Sequence, residues 1–294
     1  MPNTIIGNSE SYDRKKELLE GYNAGLEGNM NVRLGHVHGV ERAMISGFHL
    51  GVDSTTERLL SPKSLTTGVV DYTYDLSAAT TMRLVSTSAN DIAGGTGARI
   101  VYIEGLNSAY NPIQESIIMN GQTPVATTKQ YIAINRMDVV SAGSSRFNEG
   151  DIFITDNVDS TTLGIPDNII FYGIEAEWST GHTGRYTVRR GYSAAITWYA
   201  SSAEASSSSP NITCGKVFVQ DSDVGDGMSY NLACLTLDRG YGQFNLFNAP
   251  VIPEKSTIYI TTKKGGGAGS QMVGVYWHFN LINNIIHPDI NFRK

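Results

Sequence analysis

The stretch MRLVSTSANDIAGGTGARIVYIEGLNSAYNPIQESIIM (residues 82–119) decides the fold class. Three short runs of aliphatic and β-branched residues, 82–86, 99–104 and 115–119, alternate with clusters of Gly, Asn, Ser and Asp. Runs of this length bounded by turn residues read as strands, and their regular spacing is that of an all-β sandwich or barrel. Outward from this stretch the same rhythm continues. Strands are expected at 32–37, 43–50, 131–140 and 151–155, and in the second half at 169–178, 186–190, 194–200, 213–220, 229–237, 244–247, 257–262 and 272–282. No βαβ alternation interrupts them, which argues against a nucleotide-binding α/β fold.

Composition agrees. The chain has 294 residues, 40% hydrophobic and only 17% charged, with 31 glycines, so much of its solvated surface is neutral and polar. That suits short strands and turns better than a helical bundle. Twenty-two Lys and Arg against 28 Asp and Glu give a formal charge of −6, so no sequence-independent grip on a phosphate backbone is indicated. Direct nucleic-acid binding is not expected. Cys214 and Cys234 are too few for a disulfide framework and lack the paired spacing of a zinc site. The start lacks a basic segment followed by an apolar run, and no stretch approaches the roughly 18 apolar residues of a membrane span. A product made and kept in a cytosol is therefore expected, with no membrane partner.

One helix is expected, over 11–20, where Ser9 and Ser11 offer caps and Gly21 stops it. Its apolar positions Tyr12, Leu18 and Leu19 form too narrow a stripe to hold a domain, so it reads as an arm that packs on a neighbour. The segment 156–166, polar and closed by Pro166, reads as a domain boundary. The expected organisation is an N-terminal arm over 1–29, a first β-sandwich over 30–160 and a second over 161–294. Both sandwiches are expected to be antiparallel and jelly-roll-like. The last residues carry Ile285, Ile286, Ile290 and Phe292 outside any clear strand, which suits a tail docked on a neighbouring surface.

Candidate chemistry is sparse. Asp221, Asp223 and Asp226 put three carboxylates on one short loop, able either to hold Ca²⁺ or to cap backbone amides in a solvated turn. His36 and His38 share a strand face near His49 and could ligate zinc or form a polar strand face. Gly94, Gly95 and Gly97 lack the Lys-Ser/Thr pair of a phosphate loop and read as a turn. Glu175 and Glu177 would share one strand face, a spacing compatible with a glycosidase pair and common by chance. No nucleophile elbow, zincin helix or paired catalytic cysteine is present, so neither an enzyme nor a cofactor is expected.

Residues 76–145 resemble a module of virion structural proteins of tailed bacteriophages, particularly those of marine and cyanobacterial phages. The marks are Ser86-Thr87-Ser88-Ala89-Asn90-Asp91 before the glycine turn, Gly97-Ala98-Arg99 entering a strand, IEGLN at 103–107, and NGQTPVATT (120–128) before YIAINRM (131–137). The second half is similar more weakly, through WYASSAEA (198–205) and FNAPVIPEKSTIYITTKKGGG (247–267). The resemblance implies a non-enzymatic β-sandwich subunit of a virus particle and does not fix the component; the leading expectation is a capsid decoration or minor capsid protein that contacts other virion proteins. A neck, tail or fibre component, or a module binding host glycans, is the alternative. A homo-oligomer, a trimer or a ring, is expected, assembled in the host cytoplasm and located in the virion.

Overall fold

The computed structural model describes residues 38–52, 58–59, 76–167, 170–205, 213–221, 229–237, 240–245, 251–264 and 271–286. Within them the chain is all β, with antiparallel sheets and no helix. The expected arm with Tyr12, Leu18 and Leu19, the strand at 32–37, Asp223, Asp226, the glycines at 265–267, Ile290 and Phe292 lie outside the described residues.

The strands in chain order are β1 (Val40–Val52), β2 (Arg58–Leu59), β3 (Thr80–Ser86), β4 (Ala98–Leu106), β5 (Pro112–Ile118), β6 (Val125–Tyr131) and β7 (Ala133–Ala142). There follow β8 (Ile152–Asp156), β9 (Thr161–Thr162), β10 (Ile165–Pro166), β11 (Tyr172–Ile174), β12 (Arg185–Thr187) and β13 (Tyr192–Ala205). The last are β14 (Thr213–Asp221), β15 (Ser229–Leu237), β16 (Gly240–Asn245), β17 (Val251–Ile252), β18 (Ser256–Lys264) and β19 (Gln271–Asn283).

Two sheets pair the chain's beginning with its end. One has the order β1-β19-β13-β16, with β17 added to β13; the other has the order β12-β18-β14-β15, with β2 added to β18. Alternation along the strands turns one face of each inward. From the first sheet Ile45, Ile196, Val275, Trp277, Phe279 and Leu281 meet Ile258 and Ile260 of the second, all buried. Trp277 and Phe279 are among the largest fully buried side chains of the described residues.

The strands between β2 and β12 form a second unit. Sheets β11-β8-β3-β6 and β5-β4-β7 enclose Met82, Leu84, Val101, Ile103, Tyr131, Met137, Ile152 and Ile154. Side chains close one seam between these sheets. Glu115 of β5 accepts hydrogen bonds from the Thr128 and Lys129 amides of β6, from Thr128 Oγ1 and from Tyr131 OH. Residues 179–181 close the other seam against β7, Val139 N donating to Ser179 O and Gly181 N to Met137 O.

The two units share contacts. Val85, Phe153 and Ile170 pack on Tyr259 of β18, and Asn135 exchanges two hydrogen bonds with the Thr187 backbone. Three strand pairings also join residues before 161 to residues after it: β1 with β19, β2 with β18, and β8 with β11.

Two strand expectations are corrected. The expected strand at 169–178 is β11 alone, because Asn148 and Asp151 bind the backbone after Ile174 and turn it. The expected strand at 131–140 begins at Ala133, and a polar strand, β6, precedes it.

Candidate functional site

The quoted motif folds into a knot around one carboxylate. Asp91 is fully buried. Its Oδ1 accepts from Ala98 N at 2.6 Å and Glu149 N at 2.9 Å; its Oδ2 accepts from Ser86 Oγ at 2.5 Å and Gly150 N at 3.0 Å. A buried charge is tolerable only when its lone pairs are met in this way. The glycine turn serves the same end, since a Cβ on Gly97 would lie 2.0 Å from Asp91 Oδ1. The amides of Gly95 and Gly97 donate to Ile92 O and Asn90 O, so they are spent inside the turn and do not face an anion. Above the knot Glu149 accepts from Asn90, Thr96 and Ser145, and the Ser145 bond foremost holds its carboxyl below the usual range.

A second constellation follows β11. Asn148, fully buried, donates to Gly150 O and Glu175 O and accepts from Ser179 N. Asp151 accepts from Ala176 N. Together they force residues 175–179 into a tight turn in which Glu177 (φ 71°) and Ser179 (φ 58°) take left-handed backbone conformations without glycine. Between them stands Trp178, 42% exposed, its ring 4.8 Å from that of His182 and perpendicular to it. His182 Nδ1 hydrogen-bonds with Ser46 Oγ of β1 at 2.8 Å, so this turn also bridges the two units. Burial lowers the His182 imidazole below its ordinary value, with Asp138 opposing. Glu175 is buried; loss of solvent, then the neighbouring Asp151 charge, push its carboxyl up to about 7. Glu175 and Glu177 therefore do not line one strand face. The first points into the fold and the second into solvent.

Exposed apolar side chains form the rest of the conspicuous surface. Ile118 and Val140 lie on the β5-β4-β7 sheet, Ile118 opposite the half-buried Ile100. Val158 is 85% exposed, and Leu163, 68% exposed, occupies the two-residue turn between β9 and β10 at φ 52°. Tyr276 and Met44 are exposed on β19 and β1.

Among the sequence-derived sites, Asp221 ends β14 opposite Ser256, and its acidic neighbours fall outside the described residues. His38 is exposed, and among the described residues no group of three or more His, Cys, Asp or Glu side chains is placed to hold a metal. Ile285 is exposed, whereas Ile286 packs on Gly39 at the start of β1, where a Cβ would lie 2.8 Å from its Cδ1. Both amides donate to Asn283 Oδ1. Sequence reasoning missed Asp91 and Asn148 as site residues, and placed Trp178 in a strand instead of on a turn. Asp91 and Asn148 stand among turn residues with no sign of burial, and no glycine marks the turn that presents Trp178.

No family model matches the chain, and no curated protein matches it. Solved structures with some likeness include infectious bursal disease virus Gt strain, 12% identical over 84% of this chain and 73% of that one, with a TM-score of 0.22. The infectious bursal disease virus VP2 subviral particle is 15% identical over 85% and 74%, with a TM-score of 0.20. A Parabacteroides distasonis protein is 8% identical over 83% and 90%, with a TM-score of 0.19. At such TM-scores the likeness assigns no function. Among the described residues no helix is long and apolar enough to cross a membrane.

Proposed function

We propose that the chain is a structural subunit of a tailed-phage particle, a capsid decoration or minor capsid protein acting through contacts with other virion proteins. Strand order carries the reading. Leaving aside β12, β17 and the strands of the second unit, eight strands remain: β1, β2, β13, β14, β15, β16, β18 and β19. Lettered a to h in chain order, they form sheets a-h-c-f and b-g-d-e, the order of a double Greek key. This two-sheet jelly roll recurs in viral capsid and lectin domains. The second unit is then an insertion between the second and third strands of the roll, and most of the phage-like module at 76–145 lies in it.

Exposed aliphatics on a sheet face and at a hairpin tip, Ile118, Val140 and Leu163, are the side chains that such contacts would cover. A trimer or ring of such subunits, assembled in the host cytoplasm, completes the reading.

Quantitative peptide mass spectrometry of purified particles tests it. The expected result is this chain in stoichiometric ratio with the major shell protein. A few copies per particle would move it to the neck, tail or fibre, and its absence from particles would overturn the reading.

A further inference from the structure

The stretch NGQTPVATT (120–128) opens with the one Asn-Gly step of the sequence, Asn120-Gly121. In an unfolded chain such a step is chemically labile. The glycine nitrogen, unhindered by a side chain of its own residue, attacks Cγ of the asparagine, forming a C–N bond and a five-membered succinimide while the side-chain nitrogen leaves as ammonia. Water then opens the ring to aspartate or isoaspartate.

The fold requires this glycine. Gly121 has a left-handed φ of 59° in the turn 120–123, which Thr123 N closes by donating to Asn120 O at 3.1 Å, and a Cβ on it would lie 3.0 Å from Ala89 O. Asn120 is exposed, so its side-chain amide is open to water. The nucleophile is not. Gly121 is buried; its N–H donates to Asp91 O at 2.7 Å and its carbonyl accepts from Ser86 N at 3.0 Å. The flanking residues are fixed as well, Met119 N donating to Arg99 O at 2.9 Å and Gln122 Nε2 to Thr87 O at 2.7 Å. To reach Cγ, the Gly121 nitrogen must give up its proton and turn toward the Asn120 side chain, and both acts break its bond to Asp91. Asp91 therefore acts twice: its carboxylate organises the knot, and its carbonyl holds the nucleophile.

We propose that Asn120 is a latent deamidation site gated by the Asp91 knot. While the knot is closed the succinimide does not form; each local opening frees Gly121 N and lets the reaction run. Isoaspartate adds one methylene to the backbone just before Gly121, so the Gly121 N–H and carbonyl no longer meet Asp91 O and Ser86 N together. An opened knot is then unable to reclose, and a reversible opening becomes a permanent mark. The device is independent of where the chain sits in a particle.

The test incubates the full chain at neutral pH and physiological temperature and follows conversion at Asn120 by peptide mass spectrometry. Native protein, Asp91→Ala, Ser86→Ala and the native sequence unfolded in urea are compared, with circular dichroism as the control for folding. Where opening is fast relative to the chemistry, the rate is that of the unfolded chain scaled by the open fraction. Native protein should react at least about a hundredfold more slowly than the unfolded chain, and Asp91→Ala at least about tenfold faster than native. Ser86→Ala, which removes one donor to the carboxylate, should fall between them. Hydrogen exchange at the Gly121 amide of native protein needs no variant, and its slowing should match that of deamidation to within about tenfold. The isoaspartate form, separated by ion exchange, should melt below Asn120→Asp, which carries the same charge on an unchanged backbone. Four results overturn the proposal: native protein reacting as fast as the unfolded chain, a folded Asp91→Ala reacting no faster than native, a Gly121 amide that exchanges freely, or equal melting of the isoaspartate form and Asn120→Asp.

Discussion

Replacing Asp91 should cost more stability than any other single polar change in the described fold. The carboxylate has four donors, three of them backbone amides at 2.6, 2.9 and 3.0 Å. Each hydrogen bond to a charged group contributes about 1.5–3 kcal/mol net, and each buried amide left without an acceptor costs about 1–3 kcal/mol. Simple addition overshoots, because the bonds share one side chain and water can enter the vacated space. We expect Asp91→Ala to lose about 4–6 kcal/mol, at the upper end of single-substitution effects.

Asp91→Asn keeps the shape and one carbonyl acceptor, but turns an NH₂ toward either Gly150 N or Ala98 N and Glu149 N. Its cost should be about 2–3 kcal/mol, and that of Ser86→Ala, which removes one donor to the carboxylate and the acceptor of Ser88 N, about 1.5–2 kcal/mol. Urea unfolding followed by circular dichroism reads the series, with the slope checked for two-state behaviour. The order Ala, Asn, Ser86→Ala is the signature of a knot held by acceptor count. A loss below about 1.5 kcal/mol for Asp91→Ala, or an Asn variant as damaging as Ala, would refute it. Gly97→Ala gives an independent reading, since its Cβ would strike the same oxygen.

Glu175 makes stability fall toward alkaline pH. Its folded value of about 7 lies above the ordinary 4.5, so its protonated form is favoured by folding: the stability it contributes is complete below 4.5 and is lost as pH rises through about 7. The displacement corresponds to at most about 3 kcal/mol, and partial hydration reduces this to about 1–2 kcal/mol. Glu175→Gln should flatten the unfolding free energy between pH 5 and 8, in about that amount, and a variant that keeps the native slope would exclude Glu175 as the source. Glu115 runs the opposite way. Burial raises its carboxyl, but the Thr128, Tyr131 and Lys129 hydrogen bonds outweigh it and hold it low, so its stability is lost on acidification and Glu115→Gln should be destabilising at neutral pH. Leu163→Asn should stabilise the chain by about 0.5–1 kcal/mol, because Asn tolerates left-handed φ and an exposed leucine gains nothing there. An unchanged melting midpoint would show that Leu163 has a compensating contact.

Strand content was legible wherever β-branched runs met turn residues. The run at 229–237 coincides with β15, and 272–282 falls one residue short of β19 at each end. β6 was not legible, since Thr127, Thr128, Lys129 and Gln130 carry no apolar alternation, and the strand is held by Glu115 from across a seam. The overrun at 169–178 has the same origin. Propensity favours extension there, and two side chains distant in sequence, Asn148 and Asp151, end it. Pairing order lay further out of reach. β1 finds its partner β19 more than 200 residues away, and nothing local to either strand names the other. The candidate sites fared alike: the glycine turn reads from the chain, whereas the burial of Asp91 and the presentation of Trp178 arise only from residues that meet through the fold.

An electron-microscopy reconstruction of the tailed-phage particle proposed to carry this chain tests the central claim most directly. The account predicts density for both β units, repeated over the shell and touching neighbouring subunits through Ile118, Val140 or Leu163. Complete particles in which no density fits the chain would contradict it.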